Sequence, residues 1–220
     1  LAGDITVNKA VTAADVATLA SAGGISQSGA ADSTVTAHAL RVQVAGDAIL
    51  DNPANSVGTL AASTGGRTSY VNAGALDVGS VTTTVGPTAA LGTTGGVSAT
   101  GATTLVATAG ALKLNNAVVT SGSGAVTTLV AGGDVRQLAS ASISSDALRV
   151  QAGGAAVLES TGNAVSTLAD DVAGGDLTVV NSQALTVGSV ATTTAAASGA
   201  TAGVRTSAAG RNISLQTLAG

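Results

Sequence analysis

The chain has 220 residues, a formal net charge of −4 and a pI near 4.6, and Ala, Thr, Gly, Val and Ser supply 157 of its residues. A single aromatic (Tyr70), one His (His38), one Glu (Glu159) and no Cys, Met, Trp or Phe exclude disulfides, thiolate metal sites and a core filled by aromatic rings. A mean hydropathy of +0.47 with 9% charged residues is unlike a disordered coil, and eight scattered basic residues argue against a nucleic-acid partner.

In chain order, short stretches alternate apolar and polar residues: Ile5-Thr6-Val7, Leu40-Arg41-Val42, Leu76-Asp77-Val78, Leu112-Lys113-Leu114, Leu148-Arg149-Val150, Leu185-Thr186-Val187 and Ile213-Ser214-Leu215. Period-2 alternation predicts half-buried strands with their apolar side chains on one face. Val11 to Leu19 is the one stretch whose pattern also suits a helix. Between the strands stand Gly pairs, Gly23-Gly24, Gly65-Gly66, Gly95-Gly96, Gly132-Gly133, Gly153-Gly154 and Gly174-Gly175, which are expected to turn the chain through positive φ. No apolar run approaches the roughly 18–20 residues of a spanning helix, and one Tyr cannot make the aromatic girdles of a membrane barrel, so no membrane insertion of this segment is expected.

The sequence repeats. Ala39-Leu40-Arg41-Val42-Gln43 returns as Ala147-Leu148-Arg149-Val150-Gln151, an offset of 108, and Asn55 to Ala61 returns as Asn163 to Ala169. Ala75-Leu76-Asp77-Val78-Gly79-Ser80-Val81 returns at an offset of 109, and Ile25-Ser26-Gln27 matches Val135-Arg136-Gln137 at 110. Offsets that drift by a residue or two place insertions in loops. The expected organisation is therefore two modules, residues 1–108 and 109–220, in one continuous rod. Leu218-Ala219-Gly220 repeats Leu1-Ala2-Gly3, so a longer array is expected.

Sandwiches and barrels need bulky residues between sheets about 10 Å apart. A parallel β-helix, or β-solenoid, needs less: coils of about 20 residues stack at about 4.8 Å, and Val, Leu, Ile, Ala and Thr fill a narrow interior. The expectation is an all-β solenoid of some 11 coils, about 50 Å long.

Gly3-Asp4-Ile5-Thr6-Val7, Gly24-Ile25-Ser26-Gln27-Ser28-Gly29-Ala30, Ala75 to Val81 and Arg211-Asn212-Ile213-Ser214-Leu215 resemble the repeats of filamentous-haemagglutinin-type exoproteins, the large adhesins of Gram-negative bacteria, many exported by two-partner secretion. The resemblance runs the length of the chain as a repeat style. It implies a right-handed parallel β-helix, a location outside the cell or on its surface, and a role as stalk or adhesive shaft. Partners would be adjacent modules, end-to-end copies, or a host, glycan or matrix surface. The family's amino-terminal secretion domain is not recognisable, and nothing is carried over from Asn52-Pro53-Ala54-Asn55, which only superficially resembles its Asn-Pro motif.

Residues suited to chemistry are sparse, and no catalytic, cofactor-binding or metal-ligating residue is assigned. His38 aligns with Asp146 and reads as a solvent-facing strand-end residue. Asp170, Asp171 and Asp176 are the densest acids, but Gly132-Gly133-Asp134 and Gly174-Gly175-Asp176 lack the Gly-Gly-x-Gly-x-Asp spacing of a calcium repeat. They read as solvated turn acids. No Gly pair is followed by the Lys-Ser/Thr of a phosphate loop. Asp51 and Glu159 recur one module apart, about 25 Å along such a rod, too far for a glycosidase pair. Thr82-Thr83-Thr84 recurs as Thr192-Thr193-Thr194 and suits a solvent-exposed Thr ladder or loop, or else a flat ligand-facing rank. Tyr70 would have to be exposed to stack on a sugar. A polysaccharide-acting β-helix enzyme would need acids and bases grouped on neighbouring coils, and an ice-binding solenoid would need Thr-x-Thr in every coil. A structural or adhesive role fits better than either, with a self-assembling extracellular filament or matrix protein as the alternative.

Overall fold

Where Val, Leu, Ile, Ala and Thr alternate with Ser, Thr and charged residues, the chain forms short strands that turn their apolar side chains inward. The computed structural model describes residues 3–86 and 90–218. Its strands are β1 (Ile5–Val7), β2 (Val11–Thr12), β3 (Val16–Ser21), β4 (Ile25–Gln27), β5 (Val35–Val44), β6 (Ala48–Leu50), β7 (Ser56–Thr64), β8 (Thr68–Asn72) and β9 (Leu76–Val78). Next come β10 (Ser80–Thr83), β11 (Gly92–Gly95), β12 (Val97–Ala99), β13 (Thr103–Ala107), β14 (Leu112–Leu114), β15 (Val118–Thr120), β16 (Val126–Ala131) and β17 (Val135–Gln137). The remainder are β18 (Ile143–Ala152), β19 (Ala156–Leu158), β20 (Ala164–Val172), β21 (Leu177–Asn181), β22 (Thr186–Val187), β23 (Ser189–Thr192), β24 (Gly199–Ala202), β25 (Val204–Thr206) and β26 (Ile213–Thr217). Val11 to Leu19 lies in β2 and β3. Its β-branched residues meet β5 in parallel register, Val11 against Val35 and Leu19 against Val42.

The strands stack in parallel as a β-solenoid of about 9 turns, with roughly 21 residues between turns. One ladder runs β3, β5, β7, β12, β15, β18. A second runs β1, β4, β6, β8, β13, β16, β18, β20, β25. The third runs β9, β14, β17, β19, β21, β26. The turn count is lower than expected because two segments leave the coil. β10–β11 and β23–β24 are antiparallel hairpins in an otherwise parallel fold. Ala62 therefore pairs with Val97, 35 residues on, whereas Ala39 pairs with Thr59, 20 residues on. At about 4.8 Å per coil, nine coils make a rod of about 43 Å.

The core is one slim column. Leu40, Leu60, Leu76, Leu105, Leu129, Leu148 and Leu168 are all essentially inaccessible to solvent. Each such Leu contributes about 1.5–3 kcal/mol of burial. Threonine shares this interior because its hydroxyls find partners: Thr120 bonds Thr103 and Thr127 at 2.8 Å, and Thr64 bonds Thr68 at 2.8 Å.

The Gly pairs act differently from expectation. Apart from Gly96, none has positive φ. They are needed where the corners of successive coils touch: a Cβ at Gly65 would lie 2.1 Å from the Ala45 carbonyl oxygen, and one at Gly153 would lie 2.1 Å from that of Gly132. Gly96, at φ +72°, serves another purpose. It closes the base of the first hairpin by donating to the Gly79 carbonyl at 2.8 Å, and Gly203 does the same to Gly188 at 2.7 Å in the second.

Candidate functional site: corner pegs, strapped faces and open ends

Three side-chain devices recur from one copy to the other. The first is an internal amide peg. Asn55 is wholly buried, and its Oδ1 accepts from Val35 N–H (2.8 Å) and Gln27 Nε2 (2.7 Å) while its Nδ2 donates to the Leu50 and Val71 carbonyls. Asn163 repeats this with Ile143 N–H, Gln137, Leu158 and Val180. Asn72 and Asn181 peg the next corner, exchanging bonds with both backbone groups of Val57 and Val165. Corner backbone groups that lack a strand partner are satisfied in this way from inside.

The second device is a corner acid that caps the coil above. Asp47 Oδ1 accepts from Arg67 N–H, Asp134 Oδ1 from Ala155 N–H and Asp176 Oδ1 from Asn212 N–H, all at 2.7–2.9 Å. The Arg67 amide, with its guanidinium behind, holds Asp47 below the usual carboxylate range, and the Ala155 amide does the same for Asp134. The turn acids are thus hydrogen-bonded parts of the stack as well as solvated groups.

Each hairpin folds back over the outer face of the coils and is clamped there by a buried arginine, the third device. Arg41 donates to Thr94 Oγ1 (2.7 Å), the Ala90 carbonyl (2.6 Å) and Gln43 Oε1 (2.7 Å). Arg149 donates to Thr201 Oγ1 (2.9 Å), Thr192 Oγ1 (3.1 Å), the Ala197 carbonyl (2.7 Å) and Gln151 Oε1 (2.9 Å). Burial lowers the pKa of Arg149, partly offset by Asp171. Threonines complete the seat: Thr83 bonds Thr18 at 2.5 Å, Thr192 bonds Thr128 at 2.6 Å, and Thr194 bonds Thr104 at 2.8 Å. Val81 packs with Ala39, Ala61 and Val16 beneath the first strap. The threonine runs are therefore hairpin strands with alternate hydroxyls turned onto the rod. Only the outward members, such as the Thr82–Thr93 pair at 2.7 Å, face solvent.

The remaining residues singled out from the sequence are dispersed. His38 is exposed, within β5 rather than at a strand end, and Asp146 is exposed and accepts from the Gly124 N–H. Tyr70 is 1% exposed, so it belongs to the core and is closed to sugar stacking; its hydroxyl donates to Asn72 Oδ1 at 3.2 Å and burial raises its pKa. Asp51 is half-buried and accepts from the Ser69 hydroxyl at 2.6 Å, with burial raising its pKa, whereas Glu159 is exposed. The acidic trio is pulled apart. Asp171 forms a bidentate pair with Arg205, Asp176 caps a corner, and Asp170 points into the core with neither carboxyl oxygen partnered. Burial and the neighbouring Asp171 push its pKa up to about 8; the Asp171 amide tempers the rise without hydrogen-bonding either oxygen.

Among the described residues no group of three or more His, Cys, Asp or Glu is placed to hold a metal ion, and no helix is long and apolar enough to cross a membrane. A cleft of about 430 Å³ opens at the Asn52-Pro53-Ala54 corner, bounded by Gln27, Ile49 and Asp51. Comparison with models of known families, with curated proteins and with solved structures gives no match.

The clamping arginines stand inside the repeated Ala-Leu-Arg-Val-Gln, yet sequence reasoning missed their role. The available signal was a cation kept at one register position in both copies, on a strand face otherwise given to small residues.

Proposed function

We propose that this chain is a structural segment of a fibrous bacterial surface or secreted adhesin, serving as its stalk. The observation that carries this reading is the unbroken parallel ladder from β1 to β25, along which every coil is covered by the next. A ladder of this kind resists local opening, because each backbone bond is flanked by others and the core is continuous. The straps add a second layer on the outside, as a shaft exposed to shear and proteases would require. The resemblance in repeat style supports the surface location, and the side-chain inventory supports a non-enzymatic role.

The test is antibody labelling of intact cells of the source organism, with negative-stain electron microscopy of the purified chain. Labelling before lysis, together with rods about 43 Å long or multiples of that length, is expected. Labelling only after lysis would overturn the surface reading. A self-assembling filament is the second reading, favoured by the apolar residues at the two end coils.

A further inference from the structure

The structure contains a worked example of how one copy sits on the next. Where the first copy passes into the second, β14 stacks on β9 (Leu112 on Leu76), β15 on β12 (Val118 on Val97) and β16 on β13 (Thr127 on Thr103, Leu129 on Leu105). The counterparts of the lower strands, β22, β25 and β26, form the last coil. The counterparts of the upper strands, β1, β2 and β3, form the first. Among the described residues, both coils pair on one side only.

Their apolar residues are accordingly half-covered. Ile5 and Val11 in the first coil, and Leu185 and Val204 in the last, pack against the core while remaining partly open, and Val187, Ile213 and Leu215 are 45%, 44% and 37% exposed. Leu105, the counterpart of Leu215, is fully covered by Leu129 above it.

The straps supply an independent observation. The second hairpin reaches beyond its own coils: Thr194 bonds Thr104, and the 3₁₀ turn Ala195–Ala197 packs on β8 and β13. Beneath it Ser69, Val71, Thr104 and Val106 are buried. Their counterparts in the second copy, Thr178, Val180, Ser214 and Gln216, are half-buried or exposed. Val85, the counterpart of Thr194, overhangs the first coil and is 88% exposed. The first strap thus lacks its seat, and the last coil carries a seat without a strap.

We infer that the chain associates head to tail with a second copy of itself, whose β1, β2 and β3 pair with β22, β25 and β26 and whose first hairpin straps the joint. The register follows from the internal junction: Ile5 of the second copy on Leu185, Val11 on Val204, Ala17 on Ile213 and Leu19 on Leu215. Its Val85 then lies over Ser214, as Thr194 lies over Thr104. This joint deepens the rod reading and rests on it.

The chain has no cysteine, so an engineered pair reports the joint without background. The Val85→Cys and Ser214→Cys variants are purified separately, mixed and mildly oxidised, with Ser56→Cys, exposed in mid-rod, replacing Ser214→Cys as the control. A disulfide dimer is expected with Ser214→Cys and only background with Ser56→Cys, and Leu215→Asp in the Ser214→Cys partner should abolish the dimer. No dimer with Ser214→Cys, or equal dimer with the control, overturns the joint. Sedimentation of the unmodified chain gives a second reading: mass rising with concentration is expected, and a constant monomer mass overturns it. Electron microscopy separates the two ideas, because single 43 Å rods that never join would remove the joint and leave the stalk, whereas particles that are not rods would remove both.

Discussion

Replacing Asp170 by Ala should stabilise this protein at neutral pH, which is unusual for a change at a fully buried position. The carboxyl is 0% exposed, stands between Val150 and Val204 in the ladder, and has no hydrogen-bond partner for either oxygen. Its folded pKa of about 8 lies above the unfolded value of 3.8, so the folded state holds its proton more tightly. Stability is therefore fully present below pH 3.8 and declines as pH rises towards 8, at about 1.4 kcal/mol per pH unit. At pH 7 the accumulated loss is about 4 kcal/mol. The first copy carries Ala62 at the corresponding position, 1% exposed, so the coil accepts a methyl group there. Allowing about 1 kcal/mol for lost contacts, Asp170→Ala should gain about 3 kcal/mol at pH 7 and be close to neutral at pH 4. Denaturant unfolding followed by far-ultraviolet circular dichroism at pH 5, 6, 7 and 8 measures this. A flat stability profile in the parent chain over that range, or a variant less stable at every pH, would refute the reasoning.

Other expectations follow from the recurring devices. The corner acids have the opposite sign from Asp170: the Arg67 amide at Asp47, the Ala155 amide at Asp134 and the Arg205 guanidinium at Asp171 depress their pKa values. Their stabilisation is present above pH 3.8 and is lost as pH falls through the depressed folded values, so Asp170→Ala should retain only an acid limb in its pH–stability profile. Arg149→Ala removes four charge-assisted hydrogen bonds and should release the second strap at a cost of about 3 kcal/mol. Hydrogen exchange over residues 189–202 should accelerate by about two orders of magnitude while β16, β18 and β20 stay protected; loss of protection along the whole rod would count against a local clamp. Asn163→Ala leaves the Ile143 amide and the Leu158 and Val180 carbonyls without their side-chain partner, so about 3 kcal/mol or more should be lost in thermal or denaturant unfolding. A loss below 1 kcal/mol would mean that water replaces the peg.

The coil was legible in the sequence because two independent signals agreed. Leu40-Arg41-Val42 and its relatives alternate with period 2, and the chain lacks the large side chains that a two-layer core would require. The hairpins were not legible, for a physical reason: Ser80-Val81-Thr82-Thr83 alternates as the coil strands do, with Val81 and Thr83 turned inward onto a neighbouring face rather than into the core. Periodicity reports that a face is covered without saying what covers it. The same ambiguity hid Tyr70 and Asp170, since alternation assigns a side chain to a face and leaves its polar atoms unaccounted for.

A second consequence concerns where the straps lie. β3, in the first copy, belongs to the ladder that continues through β5, β7, β12 and β15, whereas its counterpart β16 belongs to the ladder containing β8 and β13. Each copy thus advances by a whole number of coils plus one face, and the two straps cover different faces of the prism. A repeat that returned to the same face would pile its hairpins along one side and leave the other sides bare. Stepping by one face distributes Arg41 and Arg149 clamps around the shaft, and it also makes the junction self-perpetuating. Whatever face the last coil leaves open, the next copy's first strap is rotated to meet it.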